Sequence, residues 1–82
     1  MQFYNVYILR SIPHPDEYYV GFTEDMKQRL LDHNCGHCTH TVKHRPWQLV
    51  AVVSFSDRKK ALAFEAYLKS GSGRAFAARH LR

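Results

Sequence analysis

Phe3-Tyr4-Asn5-Val6-Tyr7-Ile8-Leu9, followed after a proline-bearing connection by Glu17-Tyr18-Tyr19-Val20-Gly21-Phe22, is the stretch from which the fold can be worked out. Aromatic and β-branched residues dominate both runs, which is the composition of strands. Ser11 to Asp16 holds Pro13 and Pro15 and reads as a loop, so the two strands are expected to pair as an antiparallel hairpin. With a period of two, Phe3, Asn5, Tyr7 and Leu9 share one face, and Tyr4, Val6 and Ile8 share the other. In the second strand Tyr19 and Gly21 oppose Tyr18, Val20 and Phe22.

Downstream, Thr23 is read as the N-cap of a helix from Glu24 to about Asn34, with Glu24 and Asp25 in its first turn, where the helix dipole favours acids. Met26, Leu30 and Leu31 supply its apolar stripe, while Asp25, Arg29 and His33 recur every four residues along a polar face. Gly36 is a stop signal. Trp47 to Phe55 is a nearly continuous apolar run of strand length, expected to be the central strand covered on both sides. Ser56 or Asp57 caps a second helix to about Ser70. Gly71 and Gly73 interrupt it, and Arg74 to Leu81 forms a short last helix. The order β-β-α-β-α-α implies an α+β domain, a small sheet flanked by helices, without the parallel crossovers of a Rossmann-type fold.

A chain of 82 residues has room for one domain, read as residues 1–82. Its 45% hydrophobic and 13% aromatic content argues against disorder. It has no apolar run near the roughly 20 residues that span a bilayer and no signal-peptide pattern, so a cytoplasmic protein without a membrane partner is expected. Twelve Lys and Arg against seven Asp and Glu give a formal charge of +5. The excess is concentrated late: Arg58, Lys59, Lys60, Lys69, Arg74, Arg79 and Arg82 stand against the single acid Glu65. Such a stripe is either a phosphate-backbone footprint or a solubilising surface.

Cys35 and Cys38 are too few for a disulfide scaffold and suit a reducing compartment. With His40 they have ligand types that zinc accepts. A structural site usually draws on two separated ligand pairs, however, so the segment is read as a polar loop rather than a zinc site. Glu65 is the more pointed residue. At about 100° per residue it falls about 40° from Ala61, inside the apolar arc of Ala61, Leu62, Phe64 and Leu68. A carboxylate there needs a partner, either a cation such as Arg29 or Lys69, or a metal ion. Metal-assisted phosphodiester hydrolysis requires a carboxylate for a hard cation, a guanidinium for the phosphate, and a group that orients water. Glu65, Arg29, Tyr7 and Tyr19 are the right types, and spacing alone leaves open whether they meet.

Five segments in order carry a resemblance. Asn5-Val6-Tyr7 and, twelve residues on, Tyr19-Val20-Gly21 look like the paired hallmark of the GIY-YIG nuclease superfamily. Met26 to Asn34 with Arg29 and His33, His44 to Val50, and Ala61 to Lys69 with Glu65 continue it over nearly the whole chain. The likeness is to short, stand-alone bacterial members. It implies a three-stranded antiparallel sheet flanked by helices.

It also implies roles. Tyr7 and Tyr19 match the two motif tyrosines, the first acting on the nucleophilic water. Arg29 matches the arginine at the scissile phosphate, and His33 a histidine that relays or orients a proton. Glu65 matches the sole carboxylate ligand of one divalent ion, Mg²⁺ or Mn²⁺. Lys69 is a secondary phosphate contact. Separately from the resemblance, the basic stripe offers Arg58, Lys59, Lys60 and Arg74 as nucleic-acid contacts.

The first motif departs from the family pattern, with Asn5-Val6 in place of Gly-Ile. The late asparagine of many members is also missing, leaving Arg74 or His80 to replace it. The expected function is therefore a metal-dependent endonuclease in DNA repair, recombination or processing. It would act on DNA rather than RNA and be directed by structure rather than sequence, with a protein partner or a homodimer supplying any specificity. The alternative is a non-catalytic nucleic-acid-binding module on the same fold. A zinc-binding interaction protein built on the Cys35 to His40 loop is a third reading.

Overall fold

A computed structural model describes residues 2–82. The first strand, β1 (Tyr4–Ser11), lies between its hairpin partner β2 (Tyr18–Thr23) and the late strand β3 (Trp47–Phe55), giving an antiparallel sheet in the order β2-β1-β3. Helix α1 (Met26–Asn34) covers one face of this sheet, with Met26 and Leu30 packed on Tyr7, Leu9, Trp47 and Tyr19. Helices α2 (Arg58–Leu68) and α3 (Gly71–His80) cover the other, where Ala61, Leu68 and Ala77 meet Val6 and Ile8. The alternation of β1 therefore serves two cores at once, and Val6, Tyr7, Ile8 and Leu9 are all at most 2% exposed.

The expected central position of β3 is corrected. β3 is an edge strand, with Leu49 and Val52 37% and 38% exposed. An apolar run of strand length has no periodicity that separates an edge from a centre; the decisive property is burial on both faces, and β1 has it. The β1–β3 register slips between Ile8 and Leu9, so that Ala51 pairs Ile8 while Leu49 pairs Leu9 and Val50 is the extra residue of a bulge.

Two helix starts also move. Asp25, not Thr23, caps α1, its carboxylate accepting from the Gln28 amide at 3.1 Å, so Glu24 and Asp25 precede the first turn instead of occupying it. Leu31, expected in the apolar stripe, is 51% exposed. Asp57 caps α2, as one of the two expected candidates. The glycines Gly71 and Gly73 open α3 rather than interrupt the chain before it, with Ser70 as the cap accepting from the Gly73 amide at 3.2 Å. Gly73 is required by proximity: a methyl group there would overlap the Tyr67 carbonyl at the end of α2. Gly36 sits just beyond the C-cap Cys35 with φ of 82°, the left-handed conformation that a helix stop favours.

Candidate active site

The α1 face of the sheet carries a buried polar cluster. Tyr7 projects from the central strand and is fully buried, its hydroxyl 2.8 Å from His33 Nε2 and accepting from Arg29 Nε at 3.3 Å. Tyr19, on the neighbouring strand, places its ring centroid 6.3 Å from Tyr7 and 5.0 Å from His33. Gly21, paired with Tyr7 across the hairpin, leaves the space in which the Tyr7 hydroxyl lies, because a methyl group there would overlap Tyr7 Oη and Cζ. Arg29 and His33 reach the same point because residues four apart stack on one side of α1. That side is not the polar surface expected from the sequence. His33 is 0% exposed and Arg29 half-buried, and among the described residues Arg29 forms no ion pair with Asp25.

The directions of the hydrogen bonds follow from counting protons. His33 Nδ1 lies 2.7 Å from Thr41 Oγ1, and Thr41 Oγ1 donates to the Cys38 carbonyl at 3.4 Å. Only one assignment uses every proton. Arg29 donates to Tyr7, Tyr7 donates to His33 Nε2, His33 donates from Nδ1 to Thr41, and Thr41 donates to Cys38. The chain therefore runs one way, from Arg29 inward. Burial pushes the Tyr7 phenol up to about 12, with the Arg29 hydrogen bond partly opposing it. Burial, with the nearby Arg29 charge, lowers His33 below its ordinary range, so its imidazole is neutral at pH 7. Arg29 in turn is raised by its bond to Tyr7 and stays a cation.

Two of the residues that build this cluster are not singled out by the sequence reading. Thr41, 1% exposed, holds His33, and its carbonyl accepts from Trp47 Nε1 at 2.8 Å. Asn34 clamps the start of β3, donating from Nδ2 to the Trp47 carbonyl at 3.1 Å and accepting from the Trp47 amide at 2.6 Å. These links tie the end of α1, the 3-10 turn Val42–His44 and β3 together, so the Cys35 to His40 segment ends in a buried anchor. Nothing in its composition marks Thr41 apart from Thr39, since only the fold decides which of the two turns inward.

Glu65 stands apart from the four clustered residues. It comes from α2, on the opposite face of the sheet, and its Oε2 accepts from Lys69 Nζ at 3.2 Å, the Lys69 pairing weighed from the sequence. Its side chain is 20% exposed, and among the described residues no other group bonds to the carboxylate. The donor set suits a hard divalent ion held by one carboxylate and completed by water and phosphate. It does not suit a closed protein cage, for no three His, Cys, Asp or Glu among the described residues stand together to hold a metal. Cys35, Cys38 and His40 form no such group among the described residues, and both cysteines are free thiols.

The cationic candidates divide into two groups. Arg58, Lys59 and Lys60 are exposed on the first turn of α2, where the Arg58 guanidinium lies 5.6 Å from the Phe22 ring centroid. Lys69 and Arg74 instead line a cleft beside β2. His80 packs on Phe76, with ring centroids 5.0 Å apart.

A buried tyrosine on the first strand of a hairpin, a glycine opposite it, and an Arg and a His on the following helix form a combined signature. The family model described as the GIY-YIG catalytic domain matches residues 3–77. This chain belongs to that family. Among curated relatives, the structure-specific endonuclease subunit SLX1 of Candida dubliniensis is 43% identical over 86 residues, covering 96% of this chain and 29% of that protein. The subunit of the same name from Meyerozyma guilliermondii is 39% identical over 74 residues, covering 83% and 25%. The GIY-YIG chain thus spans less than a third of these relatives, which are fungal. A solution NMR structure of the UPF0213 protein of Bacillus halodurans is similar at TM-score 0.57 and 26% identity, covering 94% of this chain and 83% of that one. Its likeness agrees with the three-stranded antiparallel sheet and three helices described above. No helix among the described residues is long and apolar enough to cross a membrane.

Proposed function

We propose that this GIY-YIG domain is a divalent-metal-dependent endonuclease that hydrolyses phosphodiester bonds in DNA, directed by the shape of the DNA rather than its sequence. The observation that carries the proposal is the buried Tyr7–His33 pair with the Arg29 guanidinium on the same hydroxyl. A phenol pushed up to about 12 is not a standing phenolate. It can take a proton from water only while giving its own to a neighbour, and neutral His33, with Nε2 free to accept, is that neighbour. Arg29 steadies the charge on Tyr7 Oη. It uses only Nε in doing so, which leaves its terminal N–H groups for the scissile phosphate. Tyr19 forms the rim of the cluster and orients the water. Glu65 is the ligand for one Mg²⁺ or Mn²⁺, which when bound supplies charge stabilisation at the phosphate and leaving oxygens.

The proposal extends to a single functional domain over residues 1–82, with Lys69, Arg74 and the Arg58 to Lys60 cluster contacting DNA, and a role in repair or recombination. The likeness to the Bacillus halodurans protein supports a bacterial type of GIY-YIG domain. The word "subunit" in the names of the fungal relatives supports a protein partner. Two free cysteines support a cytoplasmic location.

The test is a panel of single-stranded, duplex, nicked and branched DNAs incubated with Mg²⁺ or Mn²⁺, with Glu65→Ala protein in parallel. Cutting of branched DNA that vanishes in the variant is expected. Binding without cutting, unchanged in Glu65→Ala, would instead identify a non-catalytic binding module.

A further inference from the structure

Beside the outer edge of β2, between that strand and the C-terminal ends of α2 and α3, lies a cleft of about 440 Å³. It lies with Ile8, Leu68 and Ala77 on the α2–α3 face of the sheet, across from the Tyr7–His33–Thr41 chain, meets Tyr19 at the β2 edge, and is lined by Lys69, the partner of Glu65. Its volume lies within the range of small-molecule sites, roughly 300–1,000 Å³.

The lining is unusual in charge. Lys69, Arg74 and Arg82 stand with Asp16 and Glu17 around one cavity. Yet among the described residues the only ion pairs are Asp32 with His37 and Glu65 with Lys69. Arg74, Asp16 and Glu17 thus face a common space without satisfying one another. Arg82 lies over the Tyr18 ring with its guanidinium 4.2 Å from the centroid, so one wall is an arginine–tyrosine platform above an apolar floor that includes Leu68.

A ligand for this space needs an anionic group for Arg74 and Lys69, hydrogen-bond donors for Asp16 and Glu17, and a flat ring for the platform. A free phosphate meets the first requirement alone, and the carboxylates would repel it. A nucleotide meets all three: phosphate toward the cations, exocyclic amino or sugar hydroxyl toward the carboxylates, and base against the outer face of the Arg82 guanidinium. A base paired in a duplex is stacked on both sides and cannot enter.

We infer that this cleft is a subsite for one unpaired nucleotide of the bound DNA, through which the domain recognises the junction between single- and double-stranded DNA. The inference deepens the nuclease reading, on which it rests, by naming what in the DNA is recognised. The carboxylates favour bases with exocyclic amino groups over thymine.

Binding without divalent metal, in EDTA, separates the subsite from catalysis. The probe is a branched DNA with 2-aminopurine at the first unpaired position, compared with the same DNA carrying 2-aminopurine inside a duplex arm. End-label anisotropy reports overall binding. A saturable fluorescence change at the unpaired position only is expected. Arg74→Ala should weaken it by about five- to tenfold and lower the salt slope of log K by about 1. Glu17→Gln should narrow the preference for amino-bearing bases. Equal response from both positions, or a signal untouched by Arg74→Ala while anisotropy shows binding, overturns the subsite and leaves the nuclease reading standing. Absence of binding to any of these DNAs in EDTA overturns the subsite, and the cleavage panel with Mg²⁺ or Mn²⁺ decides the nuclease reading separately.

Discussion

Thr41→Val is the substitution that bears most directly on how the buried cluster is held. Valine nearly matches threonine in shape, so the change removes one hydroxyl from a residue that is 1% exposed. What it strands is the His33 Nδ1–H, now 2.7 Å from Thr41 Oγ1 and enclosed. A buried donor left without an acceptor costs about 1–3 kcal/mol. The second loss, the Thr41 bond to the Cys38 carbonyl, is long at 3.4 Å and adds little. In a domain of this size each kcal/mol lowers the midpoint of thermal unfolding by about 4–8 °C. The variant also frees His33 to carry its proton on Nε2, facing Tyr7, which would remove the acceptor the phenol needs.

Two readouts are required: thermal unfolding by circular dichroism, and the ¹⁵N shifts of the His33 ring. The wild-type protein should carry the proton on Nδ1. Thr41→Val should lose stability by the stated amount and populate the other tautomer, and Thr41→Ser should restore both. A wild-type His33 protonated on Nε2, or a Thr41→Val protein as stable as the parent with an unchanged tautomer, would refute the reasoning.

Other consequences follow from the same geometry. Gly21→Ala forces a methyl group into the space of the Tyr7 hydroxyl, and the fully buried ring cannot swing away. Overpacking of about 1–3 kcal/mol is expected in denaturant melts, with activity lost along with it. Asn34→Ala removes both side-chain bonds to the Trp47 backbone, and the fluorescence of Trp47, the single tryptophan, should shift to the red before global unfolding. His33 has a folded value depressed below its ordinary 6.5, so the unfolded chain takes up a proton first as pH falls. Stability is therefore flat with respect to His33 above that value. It declines as pH drops below it, by at most about 1.4 kcal/mol per pH unit, and His33→Gln should remove this component from the pH dependence of urea melts.

The strands and their faces were legible because alternation in Phe3 to Leu9 and Tyr18 to Phe22 is a local property, and the same alternation put Tyr7, Tyr19 and Gly21 on one side. The helical repeat placed Arg29 and His33 together for the same reason. Legibility ended where a property depended on the whole fold. Whether β3 is edge or centre depends on what its neighbours cover, and its apolar run does not encode this. Whether the Arg29–His33 side of α1 faces water or the sheet is ambiguous from polar residues alone, since a polar stripe is ordinarily a surface. Thr41 and Asn34 act through contacts 8 and 13 residues away in sequence, across a loop with no periodicity. Glu65 was recognisable as a carboxylate in need of a partner; that the partner is Lys69 followed from helical spacing as one of two options.

The central claim is that the Tyr7 hydroxyl, held between Arg29 and His33, is the group that moves a proton during hydrolysis. Single-turnover cleavage of branched DNA by Tyr7→Phe, compared with the parent under the same Mg²⁺ or Mn²⁺ conditions, tests it most directly. Positioned proton transfer contributes about 10²- to 10⁴-fold, and a fall within that range is expected, with circular dichroism showing the fold intact and DNA binding within about twofold of the parent. Cleavage by folded Tyr7→Phe at the parent rate would contradict the claim.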